Sequence, residues 1–191
     1  MKNKKHIMLD LETLGVTSSA TVFQIGACAF SIETGEIHDT FEYIVDISSL
    51  PAGVLGVDGS TLKWWLETDA ELLKKLLLSG IGSEHYMYAS LATWLGKQGG
   101  PKDITIWGNG ISFDVVKIKN KFDEHKIVVP IHYRNERDVR TILALAADKL
   151  GVDESIIYEI AKQEDEQLHH ALDDVKRQIR LVHYCYQALC K

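Results

Sequence analysis

The first 45 residues constrain the fold more than any other stretch, because three β-type runs follow one another and a turn signal joins two of them. Residues 6–12 form a short apolar run, bounded by lysines upstream and by Thr13-Leu14-Gly15 downstream. Residues 22–32 are rich in β-formers and small side chains, and residues 36–45 resume that character after Glu33-Thr34-Gly35. Thr34-Gly35 supplies a hairpin turn, so the second and third strands are expected to pair antiparallel.

Beyond this start, helical patterns alternate with short strands. Residues 48–60, with Pro51, Gly53, Gly56 and Gly59, read as a surface loop. Residues 61–67 read as a short helix, and Asp69 is placed to cap a second one through Leu78, closed by Gly80. A third helix spans 85–97 and stops at Gly99-Gly100-Pro101. Residues 104–107 are a buried strand that ends in Gly108-Asn109-Gly110. Residues 113–126 carry a helical apolar stripe at 113, 115, 116, 118 and 122. Residues 128–132 read as a strand around Pro130, 138–150 as an amphipathic helix before Gly151, 153–162 as a small helix and 171–189 as a long terminal one. The sum is a three-layer α/β fold with a mixed sheet, antiparallel in its first strands and parallel in its later ones. No linker divides the chain, and 191 residues suit a single domain over 1–191.

Composition narrows the function classes. A hydrophobic fraction of 46% and a charged fraction of 25% are ordinary for a globular protein and exclude disordered and fibrous classes. The net charge of −6 argues against a broadly basic nucleic-acid coat protein, but not against a nucleic-acid enzyme that carries its own metal ions. Cys28, Cys185 and Cys190 form no Cys-x-x-Cys pair, so neither a disulfide framework nor a structural zinc site is expected; reduced, packed thiols in a cytoplasmic protein are. Residues 1–5 are basic like a signal n-region, yet the apolar run Ile7-Met8-Leu9 stops at Asp10, too short for what should follow. No stretch approaches the ~20 apolar residues of a membrane span.

Several residues carry chemistry. Asp10 and Glu12 are two apart at a strand end, so both carboxylates face the same way. Two like charges side by side are costly unless a cation lies between them, and hard divalent ions such as Mg²⁺ and Mn²⁺ suit oxygen ligands; the plainer alternative is a pair of solvated acids. Asp114 follows a buried strand, where α/β folds gather their sites, or is simply a carboxylate favoured by a helix N-terminus. His169-His170-Ala171-Leu172-Asp173-Asp174 opens the terminal helix. It places a loop histidine and a first-turn carboxylate toward one cleft, and His170 and Asp174 share a helix face at i, i+4. Trp64 and Trp65 offer a stacking platform for unpaired bases or the packing of a short helix; being adjacent, one is expected inward and one on the cleft. Asn109 either bonds within the cleft or ends its strand. Arg137 and Arg140 meet phosphates or, as favoured here, pair with nearby acids while Asp138 caps a helix.

Taken together, the order Asp-x-Glu, then Asp after Asn-x-x-x-Phe, then His-x-x-x-x-Asp resembles the DEDDh family of 3′–5′ exonucleases, in the proofreading branch of the ribonuclease-H-like superfamily. Leu9-Asp10-Leu11-Glu12-Thr13, Gln24-Ile25-Gly26-Ala27 and Trp107-Gly108-Asn109 add to the resemblance. Gly59 to Trp65 and Arg137 to Thr141 look most like compact phage and prophage exonucleases, some of them exoribonucleases. The resemblance implies a ribonuclease-H-like fold with a five-stranded mixed sheet. It implies two divalent ions, Mg²⁺ or Mn²⁺, held by Asp10, Glu12, Asp114 and Asp174. Asp10 would bridge them, Glu12 and Asp174 would complete the ion that holds the attacking water, and Asp114 would serve the ion beside the leaving oxygen. His169 would be the general base, since the family spacing counted from Asp174 reaches it and counted from Asp173 reaches Leu168; His170 and Asp173 are then left to packing or the helix start. Thr13, Leu14 and Gly15 would contact the terminal nucleotide, with Trp64, Trp65 and Asn109 as further substrate contacts. The implied partners are 3′ ends of single-stranded RNA or DNA, or 3′ overhangs, with nucleoside 5′-monophosphates as product and no membrane. A homo-oligomer stays open, as do two rival readings: a non-catalytic nucleic-acid- or protein-binding module on the same scaffold, and a hydrolase of very short oligonucleotides.

Overall fold

A computed structural model describes residues 5–164 and 166–190; the basic run at 1–4 lies outside the described residues. A five-stranded mixed sheet has the order β3-β2-β1-β4-β5. Its strands are β1 (Lys5–Thr13), β2 (Val22–Phe30), β3 (Ile37–Ile44), β4 (Ile104–Gly108) and β5 (Glu136–Asp138). β1, β2 and β3 pair antiparallel, and the Gly35 turn has φ +74°, a left-handed conformation in which glycine meets no side-chain clash. β4 runs parallel to β1, and β5 parallel to β4.

The helices are α1 (Gly59–Leu78), α2 (Glu84–Gln98), α3 (Ile111–Glu124), α4 (Val139–Leu150), α5 (Glu154–Ala161) and α6 (Ala171–Cys190). α1 is broken at Asp69 (φ −157°, ψ 81°), whose carboxylate accepts from the Leu72 amide at 2.9 Å. The two helical pieces expected from sequence are thus present, with Asp69 as the cap of the second. The first is capped by Asp58, so the loop ends two residues earlier than the sequence suggests.

Strand alternation splits the core. Ile7, Leu9 and Leu11 pack on one face with Met87, Leu91, Leu95, Ile118 and Phe122 of α2 and α3. Met8 packs on the other with Val139 and Leu143 of α4 and Val175, Ile179 and Val182 of α6. Asp10 and Glu12 continue the Met8 side, which directs them at α6. α6 approaches β2 closely: a Cβ on Gly26 would lie 2.5 Å from the Ala171 carbonyl carbon, so only glycine lets the start of α6 lie there.

One expected strand is misplaced. Residues 128–132 are irregular, and Val128 is 87% exposed. Pro130 has no amide to donate to a ladder, and this run uses its apolar side chains instead: Ile131 is buried and Val129 packs against the core. The fifth strand is the short, polar segment Glu136–Asp138. Its sequence gives no alternation signal, and a brief charged edge resists further pairing. The thiols also need a correction. All three cysteines are unpaired, and burial pushes Cys28 up to about 12 and Cys185 up to about 11, but Cys190 is exposed rather than packed.

Candidate active site

Asp10, Glu12 and Asp174 converge, each offering a carboxylate oxygen within 4.8 Å of the others. β1 supplies the first two and the opening turn of α6 the third. Burial pushes the Asp10 carboxyl up to about 7, and the charge of Asp174 adds to it. Burial and the charge of Asp10 hold Glu12 well above the usual carboxylate range. Asp174 is raised by burial and eased by Arg177, whose Nη2 lies 2.7 Å from Asp174 Oδ1. The His169 amide also donates to Asp174. Oxygen donors that are crowded, buried and short of positive charge fit a hard divalent cation.

Asp114 stands outside this set of three, although it is buried and raised by desolvation and then by Asp10. It belongs to the first turn of α3. The first amide of that helix, Ile111 N–H, donates to Asp138 Oδ2 at 2.7 Å, while Asp138 Oδ1 accepts from Thr141 N–H at 3.1 Å and caps α4. One aspartate therefore ties together the helix that carries Asp114 and the helix that carries Arg140. Arg140 packs its guanidinium against Gly110, and it and Lys117 partly offset the charge beside Asp114.

The two histidines part company. His169 has φ +63°, a left-handed conformation uncommon for a non-glycine residue, and its ring meets the Trp64 ring edge-on at 4.9 Å. The His170 ring turns the other way: Nε2 lies 3.1 Å from Glu42 and 3.1 Å from Gln24 Nε2, and Nδ1 is 3.6 Å from Asp173. The Glu42 hydrogen bond raises His170, and His170 in turn lowers Glu42. A His170–Asp174 ligand pair is therefore not formed, and Asp173 pairs with Lys176 at 3.0 Å. Gln24, fully buried, also accepts from the Ala171 amide at 3.2 Å, so the first turn of α6 is capped from β2.

The tryptophans divide as adjacency requires. Trp65 is buried against Leu14 and Phe23 and donates to the Thr13 carbonyl at 3.2 Å, whereas Trp64 is 43% exposed. Leu14 is itself buried in that cluster, and Thr13 donates to the Gly15 carbonyl at 2.9 Å. Asn109 Oδ1 is buried without a hydrogen-bond partner. Arg137 corrects the sequence reading: it donates to the backbone carbonyls of Arg134 and Glu136, not to an acid.

Three neighbours of the acids went unnoticed in sequence. Arg177 pairs with Asp174, and Gln178 Nε2 donates to Asp10 Oδ1 at 2.7 Å. Lys117 is buried, donates to the Thr17 carbonyl and stands 4.5 Å over the Phe113 ring. The available signal for Gln178 was a polar residue in an apolar stripe, between Val175 and Val182, and for Lys117 its place one turn past Phe113.

Solved structures share this architecture. The cell-death related nuclease CRN-4 superposes with a TM-score of 0.71 at 13% identity over 97% of this chain and 64% of its own. The nuclease domain of 3′hExo, a DEDDh family member bound to rAMP, gives 0.65 at 17% over 96% and 92%. Exonuclease I from Methylocaldum szegediense gives 0.68 at 17% over 95% of this chain and 40% of its own. At these identities the likeness shows a shared fold. The chain belongs to the Rv2179c-like 3′–5′ exoribonuclease domain family, whose model matches residues 5–186. No curated protein matches it in sequence. No helix among the described residues is long and apolar enough to cross a membrane.

Proposed function

We propose that residues 1–191 form one exonuclease domain that hydrolyses phosphodiester bonds from the 3′ end of single-stranded RNA and releases nucleoside 5′-monophosphates. The observation that carries this is the convergence of Asp10, Glu12 and Asp174, with Asp114 close enough to feel the charge of Asp10. The exoribonuclease family supports RNA as the substrate, and the rAMP bound to 3′hExo is consistent with a monophosphate product.

Asp10, Glu12, Asp174 and Asp114 would hold two divalent ions, Mg²⁺ or Mn²⁺, which when bound would lower the pKa of water and neutralise charge on the phosphate. His169 accepts the proton of the attacking water. An imidazole suits this because a ring nitrogen can take up a proton from water and pass it on. Its left-handed backbone turns it out of the α6 helix direction, and Trp64 restrains its ring. Thr13, Leu14 and Gly15 contact the terminal nucleotide through backbone, since the Leu14 side chain is spent on the core. Trp64, the exposed member of the pair, stacks an unpaired base.

The test is a 5′-labelled single-stranded RNA given to the protein with Mn²⁺ or Mg²⁺, beside single-stranded DNA, an overhanging duplex and a dinucleotide. A ladder shrinking from the 3′ end of RNA, absent with Asp10→Ala, is expected. An equally active Asp10→Ala protein overturns the reading. Exclusive cleavage of the dinucleotide favours the short-oligonucleotide hydrolase.

A further inference from the structure

We infer that Gln178 is a positioning residue for the acid cluster: its side-chain amide pins the Asp10 carboxylate and so sets the affinity of the site for its divalent ions. The inference rests on the metal-dependent reading above. Gln178 lies one turn beyond Asp174 on the same face of α6 and is 3% exposed. Its neighbours on that face, Val175, Ile179 and Val182, are apolar and fully buried. An apolar side chain at 178 would bury there at no polar cost, yet the chain places an amide.

The amide is oriented by chemistry. An ionised carboxylate, the form that takes a cation, only accepts, so the group 2.7 Å from Asp10 Oδ1 is the Nε2 donor, and Oε1 is the other end. Oε1 is buried and has no hydrogen-bond partner. Leaving a buried acceptor unpaired is unfavourable, so the residue is not explained as packing; the donor end has a use that outweighs the cost. Donation to Oδ1 fixes the rotation of the Asp10 carboxylate and leaves Oδ2 and the other lone pair of Oδ1 to a cation.

The neutrality of glutamine also matters. Arg177, one position earlier, neutralises Asp174 directly. A second cation against Asp10 would compete with a metal ion for the same charge. An amide orients the carboxylate without supplying that charge, the arrangement by which hydrogen bonds to ligand side chains tune metal sites.

The experiment titrates Mn²⁺ calorimetrically into the metal-free 191-residue chain, with melting in EDTA and steady-state kinetics on labelled RNA alongside. Gln178→Met keeps length and removes the donor; Gln178→Asn keeps the amide but shortens its reach. Both are expected to bind Mn²⁺ about 10–100-fold more weakly, with KM for RNA little changed, kcat reduced and part of kcat restored by excess Mn²⁺. Gln178→Met is expected to melt in EDTA no lower than the parent. If the Met variant does not fold, the Asn variant decides. Unchanged Mn²⁺ affinity with a lowered melting temperature marks a packing role and overturns the inference alone. A parent chain that binds no Mn²⁺ overturns the metal reading and this inference with it.

Discussion

Two regions bury charge, and they treat it in opposite ways. Where α2 meets α3, Lys121 lies 3.2 Å from Glu84 and 2.9 Å from Glu124, with His125 Nε2 3.6 Å from Glu84 and the Tyr88 hydroxyl donating to Glu84 at 3.4 Å. Burial alone lowers a lysine amine, yet the carboxylates of Glu124 and Glu84 raise Lys121 overall. That pocket carries its own counter-charge. At the end of β1 the acids meet Arg177 on one side and a neutral amide on the other, and Asp10, Glu12 and Asp114 are all raised. A buried charge balanced within the chain is structure; one left in deficit is a site for something brought from outside.

The comparison breaks most decisively at Asp10. Asp10→Asn is expected to lower nuclease activity at least ~10³-fold while raising the melting temperature of the metal-free chain, because a repelling charge is lost; the RNA ladder and melting in EDTA read both. Lys121→Met is the mirror experiment. It strands Glu84 and is expected to cost about 3–5 kcal/mol in urea unfolding, with the folded fraction retaining its activity.

Acidity sharpens the contrast. Asp10 stands near 7 in the folded chain against an ordinary 3.8, so between those values the folded state keeps a proton that the unfolded state has lost. Stability of the metal-free chain therefore falls as pH rises through that window, by on the order of 4 kcal/mol for Asp10 at most. Unfolding in EDTA at about pH 5 and about pH 8 measures this, and excess Mn²⁺ is expected to reverse the trend by binding the ionised acids. The smallest effect is at the rim: Trp64→Ala is expected to weaken RNA binding by about 1–3 kcal/mol, seen in KM.

Local periodicity made most of the fold legible. The hairpin start, the break at Asp69 and the Asp138 cap each rest on contacts within a few residues. The fifth strand was not legible, because its register is set by β4 and not by its own side chains, while the apolar run 128–132 lost its ladder at Pro130. The acids were legible as a pattern of types and spacings. Their order drew attention to Asp10, Glu12, Asp114 and Asp174, but their ranking was not there: three converge, and Asp114 stands apart.

Sequence alone thus determined most of the elements, the fifth strand excepted, together with the sign of the charge and the residues able to act, because these follow from side-chain chemistry and short-range spacing. The −6 net charge is partly a local concentration of acids at one strand end. Only the tertiary structure decided which histidine turns from the Glu42 network, which tryptophan is buried, and which amide holds Asp10. Each of these depends on strands and helices distant in the chain: Gln24 reaches Ala171, Trp65 reaches Thr13, and Gln178 reaches Asp10. Pairings of that kind arise when the sheet brings its faces against α1 and α6, and no local pattern encodes them.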